Sequence, residues 1–94
     1  MRLDEAVGRA RRHLRAMEDP DLPLRLVDPE RFLERPWCYA FGWNSVAFLD
    51  EHRISAAIPA GLLVVPKDGT TPFLLPSALP DEQALDEQER MRLR

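Results

Sequence analysis

The sequence predicts an α+β domain, an antiparallel sheet of about four strands with an N-terminal and a C-terminal helix packed on one face of it. Three observations carry this expectation. Apolar residues near both ends recur at helical spacing, the segment between them alternates at the period of a strand, and Asp68-Gly69 sits between two apolar runs as a hairpin turn does. Ninety-four residues supply one core, so residues 1–94 are expected to form a single domain with one main task.

Leu3, Val7, Ala10, Leu14 and Met17 form the apolar stripe of an amphipathic helix over about residues 3–17, and Asp4 and Glu5 lie where the helix dipole favours acids. Glu18-Asp19-Pro20 ends it, because proline disfavours a helical conformation in the residue before it. Leu22, Leu24 and Leu26 alternate with Pro23 and Arg25 and predict a short strand, and Asp28-Pro29-Glu30 predicts a turn or one short helical turn leading through Phe32 to Pro36.

Residues 37–43, WCYAFGW, are the clearest strand signal. Trp37, Tyr39, Phe41 and Trp43 put four of the chain's seven aromatic residues on the odd face, with small residues on the even face where another element can approach closely. Asn44-Ser45 breaks the alternation, and Val46 to Asp50 reads equally as a continuing strand or as a capped helical turn. GLLVVP and TPFLLP flank the Lys67-Asp68-Gly69-Thr70 turn, and Pro66 and Pro72 mark that hairpin as an edge strand or a bulge. Pro80-Asp81-Glu82 opens the closing helix, with Ala84 and Leu85 on a weak apolar face.

Composition narrows the function. With 45% apolar and 31% charged residues the chain belongs with folded proteins rather than disordered ones. No stretch approaches the length of a membrane span and the N-terminus has no hydrophobic leader, which predicts a cytoplasmic protein without a membrane partner. Cys38 is the only cysteine, excluding an intrachain disulfide and a thiolate metal cluster. A net charge of −3 argues against a dedicated nucleic-acid binder. The charge is uneven, with five arginines in residues 1–17 and five acids without a base in residues 80–89. Lys67 is the only lysine among 13 basic residues, a bias read as a GC-rich bacterial genome rather than as function.

No catalytic constellation emerges. Asp50-Glu51-His52 are adjacent and do not converge on one point, Cys38 lacks the flanking signature of a catalytic thiol, and there is no phosphate loop, serine elbow or metal-ligand spacing. The chain is expected not to be an enzyme and to need no cofactor or metal.

Taken together, the aromatic strand ending in Asn44-Ser45, the Phe48-Leu49 pair, the Gly61 to Gly69 hairpin and the stretch from Leu75 to Pro80 resemble the YrhB-like family, also called the immunity protein 35 family. The similarity extends to Ala6, Ala10 and Leu14 of the first helix. Pro66 and the apolar Phe73-Leu74-Leu75 depart from the family pattern. The resemblance implies a small bacterial cytoplasmic protein that binds and neutralises a cognate polymorphic toxin domain, blocking its active site or its folding.

On that reading the partner contacts are Trp43, Asn44, Asp50 and Glu51 in the exposed segment after the strand, and Asp81, Glu82, Asp86 and Glu87 on the last helix. Trp43, beside polar neighbours, is the ring expected to reach the surface as an interface anchor. The acidic residues of that helix, Glu89 included, read first as a solvated face; in charge they also resemble a phosphate backbone and are suited to steering towards a basic cleft. The other aromatics are read as core, since no basic residue lies between Arg35 and Arg53 to serve a base-stacking platform.

Arg2, Arg9, Arg11, Arg12 and Arg15 are read as a solvated helix face, part of it available to pair with the acidic helix. Two other readings stay open. One is a chaperone-like or housekeeping binding module with an exposed apolar patch and no dedicated toxin. The other is a small nucleic-acid binder using the arginine helix, with strongly salt-dependent affinity.

Overall fold

In β3 (Cys38–Phe41) and β5 (Leu63–Pro66) every residue is buried, and that decides the layering. Successive strand residues point to opposite faces, so a strand buried throughout needs cover on both sides. The computed structural model describes residues 1–92 and supplies that cover with one helix on each face. The elements run α1 (Leu3–Met17), β1 (Leu24–Leu26), β2 (Phe32–Arg35), β3, β4 (Trp43–Ser45), α2 (Val46–Glu51), a 3-10 turn (Ile54–Ala56), β5, β6 (Phe73–Leu74) and α3 (Asp81–Arg92). The fold is α+β, with a four-stranded antiparallel sheet in the order β2-β3-β5-β6 and a two-stranded antiparallel ribbon of β1 and β4.

Tyr39 and Phe41, with Leu63 and Val65 beside them, face α1 through Ala6, Ala10 and Leu14. Cys38, Ala40 and Val64 face the other way, against Leu75 and against Ala84 and Leu85 of α3. The expectation that both helices share one face is therefore corrected. The even face of β3 is lined by small residues because Ala84 and Leu85 come down on it, and α1 occupies the face of the rings.

The aromatic run also divides. β3 ends at Phe41, Gly42 passes its carbonyl to the Val27 N–H at 2.9 Å, and β4 continues in the second sheet, where Trp43 pairs with Leu26. Trp37 precedes β3 and lies with the α3-side cluster, its ring stacked on Phe73 at 6.5 Å and covered by the Arg92 guanidinium at 4.4 Å. The expected single face of four rings is thus two rings under α1, one in the ribbon and one on the opposite side.

Residues 32–35, read as part of a turn, are instead the edge strand β2, with Phe32 opposite Phe41 and Arg35 opposite Cys38. Val46–Glu51 takes the helical option because the Ser45 hydroxyl accepts the Phe48 N–H at 3.1 Å, capping the first turn. The hairpin forms at the Asp-Gly step, where Gly69 has φ +87° and the Asp68 carboxylate accepts both the backbone N–H and the hydroxyl of Thr70. Pro66 closes an interior strand rather than an edge, and the next donor, the Lys67 N–H, bonds to the Trp37 carbonyl at 2.8 Å. At Gly61 a β-carbon would lie 2.3 Å from the Leu75 carbonyl oxygen, so this close approach of the strand entrance requires glycine.

Cys38 is fully buried, and burial pushes its thiol up to about 11. Only the thiolate attacks a disulfide reagent. The folded protein is expected to react with an aromatic disulfide at about pH 8 roughly a hundredfold more slowly than the denatured chain. Equal rates in the two states would show that α3 opens readily from the sheet.

Candidate functional site

Beyond the two core clusters, the segment from Asn44 to Ile58 forms a lobe held by side-chain hydrogen bonds. The Asn44 amide donates to the Ile58 carbonyl at 3.2 Å, and its oxygen accepts the N–H groups of Ile58 at 2.9 Å and Ser45 at 2.8 Å. The Ser45 hydroxyl donates to the Ala56 carbonyl at 2.7 Å while it caps α2. Two adjacent residues of β4 thereby fix α2 and the 3-10 turn to each other, and Ile58 anchors the end of the segment against the α1-side core.

What the clamp presents is apolar at its tip. Ile54 is 84% exposed, and Val46, Phe48 and Leu49 are half-buried outside either core cluster. Around them lie the exposed side chains of Asp50, Glu51, His52 and Arg53. His52 turns the chain out of α2 with φ 56°, in the left-handed region. Glu51 is 3.8 Å from Arg53.

Asp50 is held from β1. The Arg25 guanidinium meets both carboxylate oxygens, with its Nε 3.3 Å from Oδ2, and also donates to the carbonyls of Leu26 at 2.8 Å and Val27 at 3.1 Å. The hydrogen bonds from Arg25 keep the Asp50 carboxyl below the usual carboxylate range, so it is ionised at neutral pH. This bidentate pair ties α2 to the ribbon and fixes the direction of the lobe.

Trp43 does not reach the surface as expected. It is 8% exposed, and its indole N–H donates to the Gly61 carbonyl at 3.0 Å. Pairing with Leu26 turns the ring inward towards α1, where it walls a cleft of about 230 Å³ together with Met17, Leu22, Leu24 and Ile58. Glu18 and Asp19 also line that cleft.

The structure therefore brings Trp43, Asn44, Asp50 and Glu51 together in and beneath one lobe, with Asn44 and Trp43 in supporting positions. The other four predicted residues lie on α3. Asp81 and Glu82 are exposed in its first turn, Asp86 bonds to Arg35 at 2.8 Å with Glu89 at 3.6 Å from the same guanidinium, and Glu87 is 4.0 Å from Arg90. Arg35 of β2, not the arginines of α1, pairs with the acidic helix, because the sheet stands between the two helices.

Sequence reasoning missed Ile54 and Arg25. Ile54 is a lone apolar residue in a polar run and has no periodicity to reveal it, and Arg25 meets Asp50 only through the pairing of β1 with β4. Among the described residues no group of three histidine, cysteine or carboxylate side chains is placed to hold a metal, and no helix is long and apolar enough to cross a membrane.

The model of one family, immunity protein 35, matches residues 4–88, from the second residue of α1 into the last turns of α3. The chain belongs to the immunity protein 35 family. The match contains the whole lobe and the Arg25–Asp50 pair that orients it, along with the acidic first turns of α3. Membership of immunity protein 35 points to a protein partner, for which a rigid, partly apolar projection is the appropriate kind of surface. Neither a curated protein nor a solved structure matches the chain significantly.

Proposed function

We propose that this protein is a non-catalytic bacterial immunity protein that binds a cognate polymorphic toxin domain stoichiometrically in the cytoplasm, and that the α2 lobe makes the central contact. Family membership supports the immunity reading, and the kinship with YrhB-like proteins suggested by the aromatic strand belongs to the same reading. The grouping of Ile54, 84% exposed, with the half-buried Val46, Phe48 and Leu49 on one clamped lobe carries the placement of the contact, because a contiguous apolar patch on a fixed surface, rather than one exposed side chain, marks an interaction site. Interfaces typically combine such an apolar centre with a polar rim, and Asp50 and Glu51 supply the rim here. Asp81, Glu82, Asp86 and Glu87 act at longer range, steering a basic toxin surface towards the domain.

The test pairs this protein with candidate toxin domains, taking first the C-terminal domain of any large secreted protein encoded beside its gene, and scores bacterial survival and the affinity of the purified complex. The native protein is expected to rescue growth and form a one-to-one complex, and Ile54→Asp to weaken the complex by about a hundredfold without loss of folding. Failure of the native protein to rescue or to form a complex would overturn toxin neutralisation. Full rescue and unchanged affinity with Ile54→Asp would leave neutralisation standing and displace the contact from the lobe.

A further inference from the structure

The arginines of α1 are only partly used within the fold. Arg9 donates to the Gly69 carbonyl at 3.1 Å, but Arg11 and Arg15, one turn apart, make no side-chain hydrogen bond or ion pair among the described residues. Both line a groove of about 440 Å³ between α1 and β1. Its floor is Leu14, Leu24, Leu26 and Pro29, its far wall is Arg25, and no carboxylate side chain lines it. Arg25 is already engaged by Asp50 and two carbonyls, so the unneutralised charge sits at Arg11 and Arg15 above an apolar floor.

We infer that this groove docks an acidic segment of a protein partner, with one aliphatic or aromatic side chain on the leucine and proline floor and carboxylates against Arg11 and Arg15. Guanidinium groups pair with carboxylates through two parallel hydrogen bonds, and two of them on successive helical turns select acids a short distance apart. A nucleic acid fits less well. The groove presents no aromatic ring for base stacking, only two unengaged cations line it, and the chain carries a net charge of −3. The groove borders the lobe through Arg25, so a partner can span both surfaces, but the inference stands whether or not that partner is a toxin.

The experiment is a heteronuclear NMR titration of the intact protein with a capped peptide of aspartate and glutamate residues flanking a Phe-Leu pair, at up to ~1 mM. Its asparagine and glutamine counterpart, inorganic phosphate and a single-stranded oligothymidine serve as parallel probes. The acidic peptide is expected to shift the amides of Arg11, Leu14, Arg15 and Leu24 to Leu26. The double variant Arg11→Gln, Arg15→Gln is expected to bind it at least about tenfold more weakly, while Arg12→Gln, a change outside the groove, binds it as the native protein does.

Equal binding of the uncharged peptide, or equal loss with Arg12→Gln, would overturn the assignment by showing that the two guanidiniums are not the determinants. Tighter binding of phosphate or the oligonucleotide at the same amides would overturn it in favour of a general anion or nucleic-acid site. No shift at the highest peptide concentration would also overturn it.

Discussion

Replacing Phe41 by alanine is expected to destabilise the domain by about 3–5 kcal/mol, the usual cost of emptying a phenylalanine site in a packed core. Phe41 is fully buried between neighbouring strands, opposite Phe32 of β2 and Leu63 of β5. Its ring lies 6.3 Å from that of Phe32 and 6.5 Å from that of Tyr39, and the same cluster includes Ala6, Ala10 and Leu14 of α1. The site cannot close readily, because the facing helix residues are mostly alanines and the strand register fixes the neighbouring rings. A domain of ordinary stability, about 5–15 kcal/mol, would lose a large share of it. Urea denaturation followed by tryptophan fluorescence measures the loss. Phe41→Leu, which keeps most of the volume, is expected to cost less than about 2 kcal/mol. A loss below about 1.5 kcal/mol for alanine would mean that α1 rests loosely on the sheet.

The features legible in the sequence were those whose cause is local. The α1 stripe, the Asp-Gly turn and the acidic start of α3 each depend on residues within a few positions of one another, and each forms where the spacing indicates. The layering depends on distant partners. Strand alternation runs unbroken to Trp43 in the sequence, but Gly42 releases the chain from the main sheet so that Trp43 can pair with Leu26. The same period includes Trp37, which lies before the strand begins. Leu62 to Val65 is a continuous apolar run, the pattern of a strand covered on both faces, and it was the available sign that the helices take opposite sides.

The candidate site shows the same division. The Ser45 cap was legible as one of two options, and the exposure of the α3 acids follows from their position in its first turns. The partners were not. Asp50 is oriented by Arg25, which lies 25 residues earlier, and Asp86 by Arg35, 51 residues earlier. A polar run such as His52 to Ser55 gives no indication that its isoleucine will be held in solvent, because that outcome is set by the clamp from β4.

The clamp yields the second large effect. Asn44→Ala removes three hydrogen bonds at once, leaving both backbone groups of Ile58 and the N–H of Ser45 without their partner. The cost is expected to be about 1–3 kcal/mol, confined to the lobe because Ser45 still holds Ala56 and the Arg53 N–H still bonds to the Ala47 carbonyl at 3.1 Å. The Ile58 amide should lose at least about tenfold in hydrogen-exchange protection, while those of Phe41 and Leu63 keep theirs. If binding requires Ile54 in its native position, affinity for the proposed toxin partner falls by the fraction of molecules whose lobe is disordered, and rescue of growth falls with it. Faster exchange at Ile58 with undiminished rescue would show that the partner does not use the ordered lobe. Unchanged exchange would assign the ordering of the segment to Ser45 and the Ile58 side chain instead, and the double replacement of Asn44 and Ser45 by alanine would then be needed to release it.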